Sequence, residues 1–175
     1  METLHLSWEG PFSISELDRL TNNETDFGIY QIYATHPVYG YGLVYIGKAR
    51  EQTFCTRIKQ ENWDVGLEND PRQIVIYIGR LIGPTPPLSV WRKQIDAAEK
   101  LLIHSHAPAY NSVNILRSPT LLECGDIRVI NWGACRSLCR EVSGWVWTAK
   151  GIQFRDQHPY SASATPSDPG SSNSV

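Results

Sequence analysis

Tyr30, Tyr45, Lys48, Arg57, Glu99 and Asn111 form an ordered series of polar residues on an otherwise apolar background. Each type suits one part of a single chemistry. A guanidinium such as Arg57 is always charged, and its planar fork matches two oxygens of a phosphate. One carboxylate such as Glu99 suffices for Mg²⁺, which takes one or two carboxylates and completes its shell with water and phosphate oxygens. A phenol has an ordinary pKa of about 10 and is a poor base at neutral pH. A nearby ammonium or metal-bound water lowers that value and makes a tyrosine a usable proton acceptor. Together such groups can position water, cation and phosphorus for phosphodiester hydrolysis. Taken singly, each has an ordinary reading: cross-strand packing for the tyrosines, a surface arginine, a solvent-facing helical glutamate.

The elements that must carry these residues are partly readable. Phe27 to Ala34 is rich in β-prone residues, His36 to Gly42 supplies turn chemistry, and Leu43 to Ile46 returns as a second strand. Glu51 to Trp63 is helix-competent and carries Arg57 beside Phe54 and Ile58. Gln73 to Leu81 predicts a third, buried strand. Leu88 to His104 is the clearest helix, with Ser89 as its expected N-cap and Ile95, Ala98, Leu101 and Leu102 at helical spacing. Glu99 lies on that apolar face, where a carboxylate is costly unless it is paired or bound to metal. Toward the N-terminus, Ser13 and Glu16 fit a capping box ahead of a short helix. A strand over Asp126 to Trp132 and a helix over Ala134 to Trp147, interrupted at Ser143-Gly144, are expected downstream.

This reading divides the chain into an N-terminal helical extension (1–26), a core (27–111), a C-terminal strand-helix extension (112–155) and a polar tail (156–175) whose composition predicts disorder. The expected fold class is α/β (α+β), a small antiparallel three-stranded sheet flanked by helices. No stretch reads as a membrane span or a leader, so a cytoplasmic protein is expected. Four cysteines (Cys55, Cys124, Cys135, Cys139) do not make a disulfide framework. Cys135 and Cys139, read as helical, lack the opposed pair that a zinc site needs.

The formal charge of −2 hides an asymmetry. Residues 1–47 hold one base against six acids, whereas residues 48–155 hold fifteen bases against ten acids. That basic body is compatible with a phosphate-binding face and equally with an ordinary mixed surface.

The pairing of Gly28-Ile29-Tyr30 with Tyr45-Ile46-Gly47 across a hairpin carries more information. Lys48 lies three residues after Tyr45 and Arg57 twelve after it, while Asn111 stands twelve beyond Glu99. A second Tyr-Ile-Gly, Tyr77 to Gly79, has no such partners. Over residues 27–111 the pattern resembles the GIY-YIG nucleases, which hydrolyse DNA with one divalent metal. The resemblance implies a Mg²⁺- or Mn²⁺-dependent DNA endonuclease of restriction or repair type, compatible with cleavage as a homodimer and needing no small-molecule cofactor. It implies Tyr45 as general base, Tyr30 as its hydrogen-bonding neighbour and Lys48 as the group that orients the nucleophile. Arg57 would hold the scissile phosphate, Glu99 the metal, and Asn111 the end of the site. Gly28 and Gly47 would be places where a side chain crowds hairpin or substrate. Glu61 departs from the family pattern, in which many members carry His or Tyr. The alternative is a catalytically silent nucleic-acid-binding module on the same scaffold.

Overall fold

A computed structural model describes residues 1–61, 73–84, 86–115, 124 and 126–144. Along the chain run β1 (Glu2–Phe12), a 3₁₀ turn (Ile14–Arg19), β2 (Gly28–His36), β3 (Gly40–Ala49), α1 (Phe54–Lys59), β4 (Val75–Ile82), α2 (Leu88–His106), β5 (Ile127–Gly133) and β6 (Glu141–Ser143). The strands form one six-stranded sheet in the order β3-β2-β4-β1-β5-β6. The sheet is mixed: β1 runs antiparallel to β4 and parallel to β5.

This corrects the expected three-stranded sheet flanked by helices. The three expected strands are present, but they are half of a larger sheet with few helices around it. The addition begins with β1, where a helical extension was expected over residues 1–26. Its side chains alternate strictly, with Leu4, Leu6 and Trp8 buried and His5 and Ser7 facing the other way. That period of two belongs to a strand. The capping box does exist: Ser13 N and Oγ both donate to Glu16 at 2.9 Å, and it opens the 3₁₀ turn. A second correction concerns residues after Gly133. Turns and the short β6 replace the expected helix, so Cys135 and Cys139 are not on one helical face. The rest of that expected helix and the tail lie outside the described residues.

The sheet buries both faces. On one, α2 packs Ile95, Ala98, Leu101 and Leu102 against Leu6, Trp8, Ile29 and Ile46. On the other, α1 and the 3₁₀ turn pack Phe54, Ile58 and Leu17 against Tyr30, Ile32, Val44 and Ile78. Central β2 is therefore buried on both sides over most of its length. Trp8 ties the added strands in place, because its indole Nε1 donates to the buried Asn131 Oδ1 at 2.8 Å. Asn131 Nδ2 in turn donates to the Cys139 carbonyl at 2.7 Å. No helix among the described residues is long and apolar enough to cross a membrane. Helix α2 starts at Leu88, one residue before the expected Ser89 cap, and α1 is confined to Phe54–Lys59 with Thr53 as its cap.

Candidate active site

The candidate residues meet at β3, an edge strand of the sheet. Alternation along β3 turns Ile46 and Lys48 toward α2 and Gly47 toward α1. A register shift opposite Ile32 and Tyr33 leaves Val44 as an extra residue, and both Val44 and Tyr45 then pack on the α1 side. Because no further strand among the described residues covers β3, side chains from opposite faces can approach one another around its edge. The site is built on that geometry.

On the α1 side, the Tyr30 and Tyr45 rings lie 6.1 Å apart and tilted by 34°. Gly47 sits opposite Tyr30 in the ladder and makes their approach possible. A Cβ there would come within 2.6 Å of the Tyr30 ring and hydroxyl and 2.7 Å of the Tyr45 ring. The Tyr30 hydroxyl is buried and reaches toward Tyr45 without completing a well-formed hydrogen bond. Burial, then Tyr45, pushes the Tyr30 pKa far above the ordinary phenol value. Burial also raises Tyr45, and Glu61 and Glu99 add to the rise against the opposing Arg57. Both phenols are protonated at neutral pH in this arrangement. The expected lowering of Tyr45 is not a property of the protein alone.

On the α2 side, Lys48 Nζ donates to Glu99 Oε2 at 2.6 Å and stands 2.9 Å from Asp96 Oδ1. Burial alone would lower the Lys48 pKa, but the two carboxylates outweigh it and the net shift is upward. Glu99, only 12% exposed in its side chain, is pushed up by burial, with Lys48 opposing. Asp96 also pairs with Arg50, whose guanidinium approaches Glu51 at 3.6 Å. Sequence reasoning missed Asp96. Its signal was available, since it lies one helical turn before Glu99 and therefore shares its face.

Arg57 projects from α1 and pairs with Glu61 at 2.5 Å, one turn further on. Lys48, Arg57 and Glu99 line a pocket of about 280 Å³ together with Arg50 and Glu51. Neither tyrosine lines it, although both feel the charges of Arg57 and Glu99. Asn111 acts one step back. Its Nδ2 donates to the Ile46 carbonyl and its Oδ1 accepts from the Ile46 N–H, both at 2.9 Å. The carboxamide thus behaves as one residue of a missing seventh strand, holding the segment between Tyr45 and Lys48. Gly28 is a scaffold position: with φ of 147°, it lets the Gly79 carbonyl and the Phe54 ring close in where a Cβ would overlap them. That gives the second Tyr-Ile-Gly a packing role in β4.

Among the described residues no group of three or more His, Cys, Asp or Glu side chains is placed to hold a metal. His106 is engaged elsewhere, with Nδ1 on the Leu102 carbonyl and Nε2 accepting from the Cys139 N–H. A divalent cation at Glu99 would take one or two protein oxygens and fill its shell from water and phosphate, as Mg²⁺ does. Comparison with protein-family models, with curated proteins and with solved structures found no match to this chain.

Proposed function

We propose that the chain is a metal-dependent DNA endonuclease hydrolysing phosphodiester bonds with one divalent cation, Mg²⁺ or Mn²⁺, through chemistry like that of the GIY-YIG nucleases. The observation that carries this reading is the meeting of Tyr30, Tyr45, Lys48, Arg57 and Glu99, drawn from two strands and two helices, around one sheet edge. Charge balance supports the cation. The pocket itself is lined by Glu51 and Glu99 against Lys48, Arg50 and Arg57, and with Glu61, Asp96 and Arg92, which pair with them from beside it, the cluster balances four carboxylates against four cations. A phosphodiester entering a neutral site adds a negative charge, and a cation arriving with it restores the balance.

In this reading Arg57 leaves Glu61 to grip the scissile phosphate through its fork. Glu99 would hold the cation, with Asp96 one turn away on the same face. The bound cation would supply positive charge that stabilises the developing phosphorane and acidifies nearby water. Lys48 orients the nucleophile from its place between Glu99 and Asp96. Tyr45 would act as proton acceptor toward that nucleophile, which requires the positive charge of the cation to outweigh the burial, Glu61 and Glu99 that raise its pKa. Tyr30 fixes the ring of Tyr45, and Asn111 fixes the strand beneath both.

The same ion pairs favour a second reading. Lys48 neutralises Glu99 and Glu61 neutralises Arg57, as in a module that binds nucleic acid without cutting it. Supercoiled plasmid decides between them. Nicking that requires Mg²⁺ or Mn²⁺ and disappears in Glu99→Gln and Arg57→Ala supports the nuclease. Salt-sensitive DNA retention without nicking refutes it and leaves the silent binder.

A further inference from the structure

A second cleft is larger than the small ion-paired pocket. It lies beside it, encloses about 690 Å³ and opens where the first turn of α2 meets β1 and β4. Its volume is in the range of small-molecule sites. Arg50 lines both cavities.

The cleft is built for a flat, partly polar ligand. Phe27 and Trp91 stand 6.3 Å apart with their rings nearly perpendicular, at 89°. A planar group can stack on one ring while the other closes its edge. Leu88 and Ile82 form an apolar rim, 60% and 50% exposed. Gln94 projects into the cleft from the same helix as Trp91, with Nε2 bonded to Glu2 near the surface. Its carboxamide offers both a donor and an acceptor to a base edge. Arg80 also borders the cleft, but its guanidinium is committed to Glu9, Asp26 and the Thr25 carbonyl. Glu24 on the far wall repels phosphate. Arg50, the other cation on the lining, is paired with Asp96 and Glu51, so a phosphate at that end would have to draw its guanidinium from those carboxylates, with the base at the Trp91 end. Trp91 and Glu99 are eight residues apart on α2, about 12 Å along the helix. That is no more than three or four nucleotide steps at about 3.4 Å each.

We propose that this cleft receives an unpaired nucleobase of the strand held in the catalytic pocket, stacked on Trp91 with Phe27 closing its edge, and with its phosphate on Arg50. The inference rests on the nuclease reading and deepens it: the substrate presents at least one unstacked nucleotide next to the cut, as in a single strand, a flap or a flipped base.

The test uses the full chain and three small probes: deoxyadenosine 5′-monophosphate, deoxyribose 5-phosphate and inorganic phosphate. The indole N–H of Trp91 and the side-chain amide of Gln94 are followed by NMR. The mononucleotide is expected to shift both signals and the two base-free probes neither. A 5′-phosphorylated trinucleotide is expected to bind at least about tenfold more tightly, since stacking and Arg50 then act together with the Arg57 pocket. Trp91→Leu should weaken mononucleotide binding about tenfold. Gln94→Ala, which removes a side chain bonded to the exposed Glu2, should keep the fold and lose discrimination among bases. Equal shifts from deoxyribose 5-phosphate, silent Trp91 and Gln94 signals, or a trinucleotide binding no better than the mononucleotide would overturn the proposal. Plasmid nicking separates it from its premise. Occupancy without nicking keeps the nucleotide site and removes the nuclease, while nicking with an empty cleft does the reverse.

Discussion

Replacing Gly47 by alanine tests the geometry of the tyrosine pair more directly than removing either tyrosine. The new methyl would lie 2.6 Å from the Tyr30 Cζ and hydroxyl and 2.7 Å from Tyr45 Cε1. Tyr30 is fully buried between sheet and α1, so its ring has no room to swing aside. Overpacking of this kind costs about 1–3 kcal/mol. For a chain of 175 residues a cost of about 2 kcal/mol lowers Tm by about 4–8 °C. Turnover should fall far more than DNA affinity, because the phenols move apart while Arg57 and Lys48 stay in place. A double-mutant cycle isolates the cause. Tyr30→Leu removes the ring that the methyl strikes, so Gly47→Ala added on that background should cost less than about 0.5 kcal/mol and partly fill the vacated space. Thermal unfolding followed by circular dichroism measures all four proteins. Additive effects within error would refute the contact, and a Gly47→Ala protein as stable as the parent would refute the packing argument outright.

Other expectations follow from the same coordinates. Tyr30→Phe removes a buried hydroxyl that lacks a good partner, so chemical denaturation should show stability unchanged or raised within about 1 kcal/mol. Asn111→Ala strips two hydrogen bonds from the edge strand and should cost about 1–3 kcal/mol, with faster hydrogen exchange at the Ile46 amide as the local readout. Glu99 has a raised pKa in the folded state, so its ionisation opposes folding. The stability of the parent relative to Glu99→Gln should therefore be greatest at acid pH and decline as pH rises through the ordinary carboxylate pKa and then the raised folded one. A pH-independent difference would contradict the burial of that carboxylate. Nicking activity should disappear on the acid side at a higher pH than an ordinary carboxylate would set, and Lys48→Met should move that limb higher still, since Lys48 opposes the rise.

The candidate residues were easier to single out than the fold that carries them. Types and order along the chain sufficed to single out Tyr30, Tyr45, Lys48 and Glu99, because a strand hairpin and one long helix are local objects with clear periodicity. Arg57 was found the same way, although its pairing with Glu61 was visible only as an oddity at that place in the pattern. The sheet was misread because its pairing is not local. The pattern Leu4, Leu6, Trp8 states that β1 is a strand and says nothing of partners some seventy and one hundred and twenty residues away in β4 and β5. The expected helix after Gly133 failed for another reason: its apolar residues served turns and the short β6, where Val142 alone is buried. Cys135 and Leu138 are buried from a turn instead. The aromatic cleft was invisible for want of any local pattern, since Phe27 and Trp91 come from separate elements.

The position of β1 has a consequence for how the molecule is assembled. β1 is an interior strand whose parallel neighbour, β5, is synthesised more than a hundred residues after it. The nascent chain must carry Leu4, Leu6 and Trp8 with one flank unclaimed until Ile127–Gly133 has emerged. Such long loop closures slow folding and leave a sticky strand open to other chains. The β3-β2-β4 half, complete by Ile82, is thus expected to form before the other half docks, and the tyrosine pair exists before Glu99 arrives to face it.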